Sequence, residues 1–108
     1  MHYIFEVHIA PGHSAEQYAD AWVRASKIIQ RAPGAQGTRL HRKIDDPDVL
    51  LAIATWESKE ARDAMEAHPA EQVVAIIAEQ TAFVSVKLIG EFAAPEWEVL
   101  PPDAASVQ

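Results

Sequence analysis

Cysteine is absent from the 108 residues, which excludes disulfides, thiolate nucleophiles and cysteine-ligated metal or iron–sulfur centres. Basic residues are scarce: nine Lys and Arg stand against sixteen Asp and Glu, a formal charge of −7, and no basic run is present that could neutralise phosphates. Nucleic acid is therefore not expected as a partner. No apolar run approaches a membrane span, and the start Met1-His2-Tyr3-Ile4-Phe5-Glu6 lacks the basic beginning and unbroken apolar stretch of a secretory signal. The expected setting is the cytoplasm, with no membrane partner. A chain of this length is one domain, and a domain this small gains considerably from pairing with a second copy, so a homodimer is the expected assembly.

Residues 3–9 alternate, with Tyr3, Phe5, Val7 and Ile9 on one side and Ile4, Glu6 and His8 on the other, which is strand periodicity. Pro11-Gly12 stops this strand. Ser14 followed three residues later by Gln17 has the form of a capping box, and Tyr18, Ala21, Trp22, Ala25, Ile28 and Ile29 recur at helical spacing, predicting a helix over residues 15–31. After Pro33-Gly34, residues 37–44 and 49–57 read as a hairpin closed by Asp45-Asp46-Pro47-Asp48. Ser58 caps a second helix that Pro69 breaks, a further helix covers Glu71–Gln80, and residues 83–90 form the last strand. The order is β-α-β-β-α-β, the ferredoxin-like α+β arrangement with both helical segments on one face of the sheet. Val49, Leu51 and Ile53 make the third strand apolar on its other side too, so a second subunit's sheet is the expected cover.

The composition divides the chain into a domain over residues 1–92 and an acidic, proline-rich tail over 93–108. From Glu91 to the end there are four acidic residues, no Lys or Arg, and three of the seven prolines. Trp97, Val99 and Leu100 are costly to leave in water, so residues 95–100 are expected to lie extended on the body of the dimer, with Asp103 to Gln108 solvated.

Pro11-Gly12, Pro33-Gly34, the Asp-Asp-Pro turn, Trp56-Glu57-Ser58-Lys59-Glu60-Ala61 and His68-Pro69-Ala70, in this order, make the chain resemble the antibiotic biosynthesis monooxygenase (ABM) family from about Ile4 to Gly90. The resemblance implies a dimeric α+β barrel, in a family that includes cofactor-independent oxygenases of phenolic polyketides, haem-degrading enzymes and proteins of no known activity. Haem-degrading relatives use an asparagine, a tryptophan and a histidine where this chain has Phe5, Trp56 and Met65, so haem degradation is not expected. Quinone-forming relatives carry an asparagine four residues before the tryptophan; here that residue is Ala52.

Pairing Ile44 with Val49 would set His41 opposite Ala52, Arg39 opposite Ala54 and Gly37 opposite Trp56, all on one sheet face. The small side chains at 52 and 54 would leave space beside Trp56, with Tyr18 and Trp22 as a roof, Phe5 and Met65 alongside, and His68 at the rim. Such a cleft suits a small, flat aromatic ligand. Oxygenation without a cofactor needs a phenolate that passes an electron to dioxygen, and His41 is the candidate base, with Arg39 as its anion partner. The same residues on a surface strand could equally be solvated, and Trp56 could equally be a core anchor. The five histidines have no metal-ligand spacing, so no metal is expected; that no other cofactor is needed is what the resemblance to cofactor-independent oxygenases implies. Three readings stand side by side: a monooxygenase of a phenolic or quinol substrate, a ligand-binding or isomerising barrel without oxygen chemistry, and an interaction protein without catalysis.

Overall fold

The structure, a computed structural model, describes residues 1–102; the expectation for Asp103 to Gln108 lies outside them. Its elements run β1 (His2–Ile9), α1 (Ala15–Ile29), β2 (Ala35–Arg42), β3 (Val49–Trp56), α2 (Lys59–Ala67), α3 (Glu71–Gln80) and β4 (Val84–Phe92). The four strands form one antiparallel sheet in the order β2-β3-β1-β4, a ferredoxin-like α+β fold whose second helical segment is split at Pro69. No helix among the described residues is long and apolar enough to cross a membrane.

Local chemistry accounts for the boundaries. Ser14 and Ser58 are extended N-caps whose hydroxyls accept from the amides of Gln17 and Ala61, each at 3.1 Å. α1 ends at Ile29, two residues before the predicted end, where the backbone tightens to i−3 bonds from Arg31 to Ile28 and from Ala32 to Ile29, and the Gln30 side chain accepts the Gly37 amide at 2.8 Å. α1 buries Ala15, Tyr18, Ala21 and Ala25, and the three alanines let the helix lie close to the sheet. Val7, Ile9, Tyr18, Leu50 and Phe83 form the packed centre, flanked by Phe5, Trp22 and Leu40. In the central pair, Tyr3, Phe5 and Val7 oppose Ala54, Ala52 and Leu50, so alternation sends all six toward the helices.

The β2–β3 register differs from the expected one by a residue. Asp46 accepts from the amides of Val49, through its carbonyl at 3.0 Å, and Asp48, through its carboxylate at 3.2 Å. This turn draws Ile44, fully exposed, out of the ladder, and Lys43 rather than Ile44 bonds to Val49. Arg42, Leu40 and Thr38 consequently oppose Leu50, Ala52 and Ala54, while His41 and Arg39 oppose Leu51 and Ile53. A slip of one residue exchanges the faces, and His41 and Arg39 stand exposed on the side away from the helices. A bulge between Ala35 and Thr38, with Gly37 at φ +102°, then brings Ala35 rather than Gly37 opposite Trp56.

Within this single chain Trp97 is 86% exposed and Val99 97%. The helix-free face of the sheet carries Ile4, Leu51 and Ile53, all half-buried, with Phe92 at its edge.

Gly34 is the tightest backbone approach in the fold. At φ +87°, an added Cβ would stand 2.6 Å from the Cβ of Ala61 in α2, and the Gly34 carbonyl accepts the Glu57 amide at 2.8 Å. Gly37→Ala, at a positive φ but with nothing within 4 Å of the new methyl, should cost about 1–2 kcal/mol. Gly34→Ala should cost about 1–3 kcal/mol more, because it adds overpacking against α2 to the same backbone strain. Urea unfolding of the two variants beside the native chain measures the difference, and equal losses would contradict the packing argument.

Candidate functional site

Between the sheet and its helices lies a cavity of about 500 Å³. Alternation on β1 and β3 supplies its floor, Tyr3, Phe5, Ala54 and Trp56, and α1 supplies the roof, Tyr18, Trp22 and Ala25. Arg62, Met65 and Glu66 of α2 close one side, and Ile76, Ile77 and Gln80 of α3, with Val84 and Val86 of β4, close the other. Tyr3 and Phe5 tilt against each other with ring centroids 5.9 Å apart, and Trp56 is only 2% exposed. An aromatic floor and a roof of aromatic and small side chains form a slot suited to a flat ring system.

The structure thus brings Phe5, Tyr18, Trp22, Trp56 and Met65 together around one space. It does not bring His41 and Arg39 there, because the one-residue register difference turns them to the opposite face. Ala52 also leaves the wall: it is completely buried beneath the packed centre, and Ala54 is the small residue that opens the floor. His68 lines a separate outer hollow of about 580 Å³ bounded by the end of α1, α2 and α3; its backbone amide caps α2 on the Met65 carbonyl at 3.2 Å. Ile29 and Met65 border both spaces.

Arg62 of α2 is a charged group at this cavity that was not among the residues expected there. Its side chain is 14% exposed, and its guanidinium carbon lies 3.8 Å from the centroid of the Tyr3 ring. Its Nη2 donates to Glu66 at 3.1 Å, and Asp63 lies at 3.8 Å. A usable signal was present: Met65 was expected at the pocket, and a residue three positions earlier shares its helix face. Tyr18 is the titratable group of the roof. Burial pushes its phenol up to about 12, so it remains a neutral hydroxyl at ordinary pH and is not a base. The cavity can therefore bind a flat aromatic, present a guanidinium to an anionic oxygen, and offer the Glu66 carboxylate to a proton. Among the described residues no group of three or more His, Asp or Glu side chains could hold a metal ion.

Comparison with known structures agrees with this architecture. SnoaB, a cofactor-independent oxygenase from Streptomyces nogalater, superposes with a TM-score of 0.76 at 19% identity, covering 93% of this chain and 95% of that one. A protein described as antibiotic biosynthesis monooxygenase gives 0.61 at 13% identity, covering 86% and 100%. PA3566 from Pseudomonas aeruginosa gives 0.64 at 19%, covering 85% and 93%. At these identities the likeness speaks for the fold alone. No curated protein matches the chain. The sequence model of the family described as antibiotic biosynthesis monooxygenase matches residues 1–75, more than half of the chain, and the protein therefore belongs to the antibiotic biosynthesis monooxygenase family.

Proposed function

We propose that this protein is a cofactor-independent monooxygenase of a flat phenolic or quinol-type aromatic, acting as a cytoplasmic homodimer. The observation that carries the reading is Arg62, a largely buried cation set at the side of an aromatic-floored cavity. In such surroundings a guanidinium favours the phenolate over the phenol, since its charge is poorly screened there. Glu66, hydrogen-bonded to Arg62, accepts the phenol proton. The phenolate then passes an electron to dioxygen, and the two radicals recombine at ring carbon. Cleavage of the O–O bond leaves a quinone and releases the second oxygen as water, the substrate itself being the reductant, so the scheme requires no flavin, metal or haem. The oxygenase description of SnoaB supports the same direction.

A second reading has its own observation. The histidines all lie outside the cavity wall, and the floor position between the aromatic residues is Ala54, with no polar group to orient oxygen chemistry. A barrel that binds an aromatic without transforming it fits these features. Dimerisation is supported by Ile4, Leu51 and Ile53 on the helix-free face, an apolar strip that one chain leaves half-covered. His41 and Arg39 would then border the subunit contact, and Trp97 would find its cover on the partner.

Oxygen uptake with a dihydroxynaphthalene, without added cofactor, is the expected activity. Arg62→Leu should lower kcat/KM by about 10²-fold or more, and Glu66→Gln by about 10²–10⁴-fold. Binding without oxygen uptake across a panel of phenols and quinols would transfer the assignment to the second reading. Ala54→Phe fills the floor and should abolish binding of the same panel in a fluorescence titration; undiminished binding would place the ligand elsewhere. Leu51→Glu should convert a dimer to monomer or aggregate in light scattering, and a wild-type protein that is monomeric at micromolar concentration would refute the assembly.

A further inference from the structure

Gln80 is the one buried polar residue of the described chain, at 9% exposure, and its Oε1 is the single buried side-chain polar atom there without a hydrogen-bond partner. It lines the cavity. Its position follows Val73 and Ile76 or Ile77 at helical spacing, where the inward stripe of α3 calls for another apolar residue. The neighbouring groups are already engaged: the Gln80 backbone carbonyl, distinct from its unpartnered side-chain Oε1, accepts the Phe83 amide at 3.1 Å, and the Thr81 hydroxyl donates to the Ala78 carbonyl at 2.9 Å. An uncompensated carbonyl in this place lowers stability, and leucine or methionine would avoid the loss. A ligand donor reaching the cavity would supply the missing bond.

The topology separates this oxygen from Arg62. Gln80 ends α3 just before β4, whose Val84 and Val86 pair with Ile9 and Val7, whereas Arg62 sits over Tyr3 near the start of β1. Tyr3 and Val7 are four residues apart on one strand face, about 13 Å at about 3.3 Å per residue. We propose that Gln80 is a specificity-determining residue that accepts a hydrogen bond from a hydroxyl at the end of the substrate remote from the Arg62-bound oxygen. A ligand with a hydroxyl at each end is then preferred over one with a single hydroxyl. This inference rests on the reading of the cavity as a phenol site and assigns its second end. It involves binding alone and no bond-making step.

The test compares 2,6-dihydroxyanthraquinone with 2-hydroxyanthraquinone by absorbance or fluorescence titration of the full chain. The wild type should bind the dihydroxy probe at least tenfold more tightly, and Gln80→Leu should remove that preference while leaving the monohydroxy affinity within about twofold. The unliganded Gln80→Leu protein should melt no lower than the wild type, a result that a purely structural role for Gln80 would reverse. If only Gln80→Met folds, it carries the same comparison; if neither variant folds, Gln80 is structural and the inference is overturned. Equal binding of the two probes by the wild type, or an unchanged preference in the variant, overturns the inference while the phenol site stands, the Gln80 oxygen then being served by water. Failure of the wild type to bind either probe or any smaller phenol removes the phenol site itself and this inference with it.

Discussion

The antiparallel pairing of β1 with β3 is the constraint on which the remaining features depend. The Met1 amine donates to the Trp56 carbonyl and the Trp56 amide to the Met1 carbonyl, both at 2.9 Å, so the two strands are tied together at their outer end. With that end held, alternation puts Tyr3 and Phe5 beside Ala54 and Trp56 on the helix side. Trp56 is thereby both the last residue of the strand and a wall of the cavity, two positions before the Ser58 cap that launches α2. The strand-to-helix step carries Arg62 to its place over Tyr3, so the site's charge is positioned by the same segment that supplies its floor.

Arg62 and Gln80 are the largely buried charged and amide side chains that line the cavity. Arg62 is compensated by Glu66, Asp63 and the Tyr3 ring, and Gln80 is uncompensated at its carbonyl. Packing alone would favour an aliphatic residue at either place, since a buried polar group contributes only when its bonds are made. Both line one cavity, Arg62 from α2 and Gln80 from the end of α3. The Tyr18 phenol, held neutral by burial, adds a hydroxyl without adding a charge.

The β2–β3 hairpin shows how narrowly a site can depend on a turn. Strand identity, order and approximate limits were legible in the alternation of 37–44 and 49–57. The register was not, because Asp45-Asp46-Pro47-Asp48 permits more than one loop length. The choice rests on Asp46 using both its carbonyl and its carboxylate on the residues that follow. That one-residue difference removes His41 and Arg39 from the cavity and leaves Arg42 on the helix side, where it meets Glu16 at 2.7 Å and holds that carboxyl below its usual range through the hydrogen bond.

What the sequence by itself determined is the set of elements: two serine-capped helices, a helix broken at Pro69, strands of period two, and hence the ferredoxin-like order. These are local properties, readable from caps, breakers and periodicity within a few residues. Family membership was legible for the same reason, since Trp56-Glu57-Ser58 and the proline-glycine breaks are local too. Only the tertiary structure decided which side chains share the cavity. Arg62 looked like one charge among several on a helix, and Gln80 like the polar end of α3, until the packing of α2 and α3 over the sheet removed both from water. Burial is a property of the assembled chain, and a one-residue register choice or the facing of one helix sets it without changing any local pattern.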